Sequence, residues 1–585
     1  MNSKKATFGA QLVHGLLDAP RRVLLMYVGL TVLMTFPLAW QWRDGLPGGS
    51  GDIWQNYWNL WWWKQCLLDG LNPLHTSLLF FPGGADLAFH THSPFNQVLA
   101  MPVNLLFGEA AAYNFCVFFA LTLAGFGAYL LVRELTASSS AGFLAGIVFA
   151  YFPQTIEQTL EHLNLFSVQF IPLTLYFLLR WSRSMGSLDA LAFGACFGLN
   201  ALCSWHLGLK LAMVVTPWLA WLAWRRRDSW SAFAKGIGAA ATLAVLMVLP
   251  LLAPMLVTIG DGQDFFLKEP TNRGIDLSYL LTPQFANPLF GEWSQPRYMD
   301  RRYQAAGFIC YLGFIPVALA LLGAVRLGRR CWPWLGLFAF GLTLALGAHL
   351  LWNGTLYGSI TLPFAVLRDI PFLANLRVAN RFLILSSIAL AVLVGYGWVA
   401  IRARPVWAMP VAAALILVEY SWMPFPVQRI ELSPLLAQLA QRPGAVLDIP
   451  FHQRNRGVLN MVAQTVHGKP ISGGYLASYP PAIQDAIDRE SALRQLAGIP
   501  APDAVVEIGR LRAIGFRAIV IHKYRMDSVR DEQLSSIPPE ALLERKRAAR
   551  LGGVPDATIR AIREQLDDAL GGAALEDEQM AIYYL

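Results

Sequence analysis

The chain has 585 residues, 55% of them hydrophobic and only 14% charged, with 20 Trp, 34 Phe and 18 Tyr. A soluble chain carries about a quarter charged residues, so a mean hydropathy of +0.43 excludes a water-soluble enzyme over most of this length, and also a disordered, collagen-like or disulfide-built chain. The net charge of +8 raises nucleic acid as a partner, but Lys and Arg stand in short clusters between apolar runs, as orientation signals do, and nucleic-acid binding is set aside.

Crossing roughly 30 Å of hydrocarbon takes about 20 mostly apolar residues. Runs of that kind lie near 23–41, 111–132, 141–155, 165–181, 188–204, 208–224, 236–258, 307–325, 332–351, 380–401 and 405–423, about eleven spans. Lys4, Lys5, Arg21 and Arg22 precede the first run and no small-residue cleavage site follows it, which reads as an uncleaved signal anchor with a cytoplasmic N-terminus. The apolar segment Ser93–Gly108 is short and holds Pro94 and Pro102. Read as an interfacial or re-entrant helix, it leaves the loops with Arg133, Arg183, Arg225–Arg226–Arg227, Arg330 and Arg404 in the cytoplasm; read as a crossing, it turns them outward, against the positive-inside rule. The stretches 42–110, 156–164, 259–306 and 352–379 then share the outer side. After Pro424 and Pro426 the composition becomes that of a soluble protein. Ala445–Ile449, Ala518–His522 and Met580–Tyr584 read as buried strands and 481–497, 503–514 and 556–570 as helices, a small α/β domain. The division expected is a membrane domain over 1–423, with large extracytoplasmic loops at 42–110 and 259–306, and an extracytoplasmic domain over 424–585.

Polar groups at the outer span ends are the candidate site. Asp52 opens the aromatic stretch Ile53–Trp63, whose Trp residues, Trp54 among them, read as an interfacial belt. Two readings stand for the Asp52 carboxylate: an N-cap for the helix that follows, or a catalytic base. His90 and His92 lie in a turn-rich loop; with no further ligand at fixed spacing they read as polar lining of a cleft, with Trp54, rather than as metal ligands. Glu157 and Glu161 are four apart and would share one face of a helix, followed by His162 and Asn164. With no basic residue in their own loop, a cation, a basic group from another loop or a polar substrate must meet their charge. Arg377 and Arg381 have the same spacing at the start of the tenth span, as have His206 and Lys210 near the sixth, and Arg297 stands in the large loop. Arginine pairs at a helix end suit a phosphate, such as an anionic lipid head.

The early Asp52 in a large outer loop, the acidic segment after the third span, the many spans and the outer C-terminal domain resemble the bacterial GT-C integral-membrane glycosyltransferases. A closer likeness is to poorly characterised bacterial membrane proteins, through Gly51–Asp52, Asn72–Pro73, Phe80–Pro82–Gly84, Glu161–Leu165 and Leu376–Phe382; Gly468–Tyr475 also looks familiar from that group, without a known role. The resemblance covers about the first four hundred residues. It implies a polytopic α-helical membrane protein of the bacterial inner membrane, GT-C-like, with a C-terminal soluble α/β domain. It implies an inverting transferase taking a sugar from a polyprenyl-phosphate donor to a glycan, lipid or protein acceptor of the cell envelope. Asp52 would be the general base, and Arg377, Arg381, His206, Lys210 and Arg297 would meet the donor phosphate. Some relatives use a divalent cation, Mg2+ or Mn2+, for which Asp52, Glu157 and Glu161 would supply oxygen ligands; others use none. The lone Asp in the first loop, where paired acids are common, weighs against the metal version. Two further readings are a flippase or transporter of a lipid-linked saccharide and a non-catalytic scaffold of envelope assembly. The first needs charged residues near the bilayer midplane or an inverted repeat, and neither is clear in the sequence.

Overall fold

A computed structural model of the chain describes residues 17–523 and 556–585, except 49–51, 261–273, 300–308, 369, 371–372, 377, 450–453 and most of 478–504. Five helices among the described residues are long and apolar enough to cross a membrane: Glu109–Thr136, Leu163–Ser184, Trp205–Arg225, Arg227–Ile259 and Ala379–Ala400. Shorter apolar helices occupy Ser139–Ala150, Ser187–Cys203 and Ala408–Tyr420. The remaining three of the eleven expected runs coincide with helices of 14 or 15 residues, Pro20–Met34, Phe314–Leu327 and Trp332–Ala345.

We number the helices α1 (Pro20–Met34), α2 (Asp52–Asp69), α3 (Pro94–Leu99), α4 (Met101–Phe107), α5 (Glu109–Thr136), α6 (Ser139–Ala150), α7 (Pro153–Thr159), α8 (Leu163–Phe166), α9 (Phe170–Ser184), α10 (Ser187–Cys203), α11 (Trp205–Arg225), α12 (Trp230–Gly260), α13 (Phe314–Leu327), α14 (Trp332–Ala345), α15 (Leu383–Ala400), α16 (Ala408–Tyr420) and α17 (Arg454–His467). α15 is the central helix, buried along nearly its whole length against α6, α13 and α14. Close approach needs small residues where backbones meet: a β-carbon on Gly397 of α15 would overlap the Leu319 carbonyl of α13. α12 is the opposite case, packing on α10 while exposing Val245, Leu246, Leu249, Leu256 and Val257. An apolar face of that extent belongs against lipid. The segment Ser93–Gly108 forms the short helices α3 and α4, which leave Val98, Leu105 and Leu106 exposed.

Past α16 the chain returns to the first loop. β1 (Gly45–Pro47) pairs antiparallel with β2 (Val427–Arg429). A mixed sheet of order β3-β4-β6-β5 follows, from β3 (Ala445–Ile449), β4 (Phe516–His522), β5 (Leu575–Glu576) and β6 (Met580–Tyr584). β3 and β4 run parallel and the other neighbours antiparallel. Helices Ile508–Ile514 and Asp556–Leu570 flank it; much of the helix expected over 481–497 lies outside the described residues.

This sheet shares a hydrophobic cluster with the first loop: Trp58, Trp62, Leu79 and Phe80 pack in one core with Val446, Ile519 and Ile582. The expectation of an interfacial aromatic belt is corrected here. Trp54, Trp58, Trp61 and Trp62 are buried, and Trp58 and Trp62 stack with centroids 5.8 Å apart. The physical reason for Trp58, Trp61 and Trp62 is the covering sheet, whose apolar residues share their cluster, while Trp54 packs in the core of the helix bundle. Trp58 Nε1 donates to Gln464 Oε1 of α17 (2.7 Å), and Gln464 Nε2 donates to the Leu78 and Lys469 carbonyls (2.7 and 2.9 Å). Residues 78–81 then run beside 471–473: Ile471 N–H donates to Leu78 O (2.8 Å), Phe81 N–H to Ile471 O (2.9 Å) and Phe80 N–H to Gly473 O (3.3 Å).

Candidate active site

Asp52 is the first residue of α2. Just before it, Gly48 takes φ +73° and passes so close to Leu160 that a β-carbon would lie 2.5 Å from the Leu160 carbonyl. Both features call for glycine, and together they press the first loop onto the segment carrying His162. Asn56, one turn into α2, locks the contact by donating from Nδ2 to the Asp52 carbonyl (2.8 Å) and the Glu161 carbonyl (3.2 Å).

The Asp52 carboxylate has a distinct neighbour on each oxygen. Tyr475 donates its hydroxyl to Oδ1 at 2.7 Å, and His162 Nε2 lies 3.0 Å from Oδ2. Arg381 Nη2 is 3.4 Å from the same imidazole nitrogen. That nitrogen cannot donate to Asp52 and accept from Arg381 at once, so an ionised Asp52 selects the N–H form facing it. Burial alone would raise the Asp52 pKa. The His162 hydrogen bond and charge, the Tyr475 hydroxyl and the Arg381 guanidinium outweigh it and hold the carboxyl at about 2. The carboxylate is still 29% exposed, so an incoming group can reach it.

Four of the residues expected from sequence therefore stand in this neighbourhood. His162 and Arg381 touch each other, and Glu161 keeps its carboxylate 3.9 Å from His162 Nδ1. Lys210 is buried with its Nζ 5.2 Å from the Phe382 ring centre, one residue on from Arg381. His206 is half-buried one turn earlier on α11, and Arg377 lies outside the described residues. Gln154 Nε2 donates to the Asn380 carbonyl (2.9 Å), which ties α7 to the turn that carries Arg381.

Several expectations are corrected. Glu157 and Glu161 do not share a helix face, because α7 ends at Thr159 and α8 begins at Leu163. Tyr113 and Asn56 take the Thr159 and Glu161 carbonyls in place of continued helix bonds (3.1 and 3.2 Å). The Glu157 carboxylate accepts the Ile309 backbone N–H (3.2 and 3.3 Å). Among the described residues no group of three or more His, Cys, Asp or Glu side chains is placed to hold a metal ion; the Asp52 carboxylate is engaged by Tyr475 and His162 and that of Glu157 by the Ile309 N–H, and no step below is routed through a cation. Arg297 lies over the Trp293 ring and donates to Thr282 Oγ1 (3.3 Å). His90, His92 and Trp54 are buried rather than lining an open cleft. His90 Nε2 sits 2.9 Å from Asn59 Oδ1, Trp63 Nε1 donates to His92 Nδ1 (3.3 Å), and burial pushes both imidazoles below their ordinary pKa, His92 to about 3. Asn164 is buried with its side-chain oxygen unpartnered. Tyr475 was not among the expected site residues, although the Gly468–Tyr475 run that holds it was visible.

The fold is similar to that of solved arabinofuranosyltransferase structures. The structure of the arabinofuranosyltransferase AftD from Mycobacteria aligns with a TM-score of 0.55 at 14% identity, covering 88% of this chain and 37% of that one. A variant form of AftD gives 0.57 at 14% identity, covering 96% and 41%. The chain thus spans well under half the length of that enzyme. The oligosaccharyltransferase AglB from Archaeoglobus fulgidus scores 0.49 at 14% identity, with 88% and 72% covered. No curated protein matches the chain in sequence. Residues 21–420 match the family described as "Domain of unknown function (DUF6311)", and the chain belongs to that family.

Proposed function

We propose that the protein is an inverting glycosyltransferase of the bacterial inner membrane. It takes a sugar from a polyprenyl-phosphate donor to an extracytoplasmic acceptor, with the N-terminus cytoplasmic and the domain over 424–585 outside. The observation that carries the reading is the Asp52 carboxylate, ionised, partly open and flanked by Tyr475, His162 and Arg381. An acceptor hydroxyl placed where the Tyr475 hydroxyl sits would give its proton to Asp52 Oδ1 as its oxygen attacks the anomeric carbon. The bond from that carbon to the phosphate oxygen breaks on the opposite face, and Arg381, with Lys210 behind it, meets the charge that gathers on the leaving phosphate.

The low pKa matters to this scheme. A carboxylate at about 2 is a weak base for an alcohol, because an efficient base has a pKa near the working pH. The acceptor hydroxyl would take over the bond that Tyr475 donates, and its proton becomes more acidic as its oxygen bonds to the anomeric carbon, so transfer to the carboxylate comes late in the step. The described structure is then the resting form, with the base masked by a residue of the C-terminal part. The test is transfer from a purified polyprenyl-phosphate sugar by the full chain in proteoliposomes. Asp52→Asn should fold as the parent does and transfer sugar about 10²- to 10⁴-fold more slowly; parent-like transfer would remove Asp52 from the chemistry.

A further inference from the structure

A cavity lies at the end of the helix bundle away from Asp52. It has a volume of about 830 Å³ and is walled by α9, α11, α14 and Tyr396 of α15. Its walls are apolar and aromatic, with Trp218, Trp221 and Trp334, while four arginines stand on its lining: Arg183, Arg225, Arg226 and Arg330. α9 leaves the loop that carries His162, and Arg183 lies in its last turn, about 20 Å away along the axis at 1.5 Å per residue. Arg225 is the last residue of α11, and Arg330 lies in the turn before α14. The four charges therefore cluster at one level of the bundle, on the side that the positive-inside rule assigns to the cytoplasm.

Their partners leave positive charge over. Arg183 pairs with Glu134 (2.5 Å). Arg226 donates to the Ser182 carbonyl (2.8 Å) and Arg225 lies 5.2 Å over the Trp221 ring. Among the described residues no carboxylate pairs with Arg225, Arg226 or Arg330. Guanidinium groups at the mouth of an apolar cavity match a phosphate on acyl chains, and basic pockets between helices on this side of a membrane are where anionic headgroups bind. We propose that this cavity is a binding site for an anionic glycerophospholipid of the cytoplasmic leaflet, separate from the Asp52 site. The phosphate would lie among Arg225, Arg226 and Arg330, with an acyl chain running inward past Trp218 and Gly336.

The test is native mass spectrometry of the delipidated full chain titrated with cardiolipin, phosphatidylglycerol or phosphatidylcholine. The anionic lipids should bind at least about tenfold more tightly than phosphatidylcholine, and R225Q/R226Q/R330Q should bring the ratio near one. Gly336 lines the cavity with no atom within 4 Å of a β-carbon built on it, so Gly336→Leu fills the space without changing any charge and should also abolish the tight anionic binding. That variant decides the matter if the triple variant does not fold. R402Q/R404Q, which removes charge from the same side but outside the cavity, should keep the preference. Three results overturn the proposal: equal binding of anionic and zwitterionic lipid, equal loss in R402Q/R404Q, or displacement of the bound glycerophospholipid by a polyprenyl monophosphate at equal concentration.

Discussion

Two carboxylates near span ends are held in opposite ways. Glu419, at the end of α16, is fully buried and accepts from the Tyr311 hydroxyl and the backbone N–H groups of Phe314 and Ile315 at the start of α13. Backbone donors have nowhere else to go, so this acid is a fixed joint between two helices, satisfied from within. Asp52 is held by side chains from distant parts of the sequence and is 29% exposed. Side-chain donors can turn away and be replaced. Burial and hydrogen bonding alone do not mark a functional acid; exchangeable partners and an open side do.

Substitutions should separate the two. The largest effect is expected at Asp52, where Asn removes about 10²- to 10⁴-fold of transfer with little change in melting temperature. At Glu419 the pattern should invert: Glu419→Gln points an amide donor or a weaker acceptor at fixed N–H groups and should cost about 2–3 kcal/mol of stability, seen as a lower melting temperature in detergent with activity per folded molecule retained. A melting temperature unchanged by Glu419→Gln would erase the contrast.

Tyr475→Phe is expected to act in the milder range. If the phenol holds the acceptor's place, its loss should lower the acceptor KM by up to about tenfold, the worth of a hydrogen bond to a charged group, without lowering kcat. A fall in kcat at constant KM would instead make Tyr475 part of the chemistry. The smallest effect is on pH dependence. Asp52 is held at about 2, below the ~3.9 of an unfolded aspartate, so its stabilising interactions are complete above pH ~4 and are lost as pH falls through 2. Between pH 5 and 8 the free enzyme should therefore show no acid limb from Asp52 in kcat/KM. His162→Gln removes a major lowering influence, and any acid limb should move up toward pH 4.

Five of the expected apolar runs were legible as helices long enough to cross a membrane, because a bilayer imposes a length and a composition that survive without knowledge of packing. Asp52, His162 and Arg381 were legible as polar groups at span ends that needed partners. The break between α7 and α8 was not, since Leu160, Glu161 and His162 carry no proline or glycine, and it is the carbonyl contacts from Tyr113 and Asn56 that favour it. His90 and His92 looked like cleft residues because nothing local shows that a sheet more than three hundred residues on shares the core of their loop. The same distance hid Tyr475. Phe80–Pro82–Gly84 and Gly468–Tyr475 were each visible as motifs, but only the structure lays 78–81 beside 471–473.

That pairing also has a consequence in time. Asp52 and its hydrogen-bond partner Tyr475 are 423 residues apart. At a synthesis rate of about 5–20 residues per second, the membrane part is threaded for roughly 20–80 s before Tyr475 emerges. His162 and then Arg381 emerge within that interval, and from Arg381 onward the carboxylate has those two partners but not the Tyr475 hydroxyl. A chain interrupted after α16 would hold an uncovered acid beside Trp58, Trp61 and Trp62 with no sheet to bury them, so the segment made after the helices is the one that closes the site.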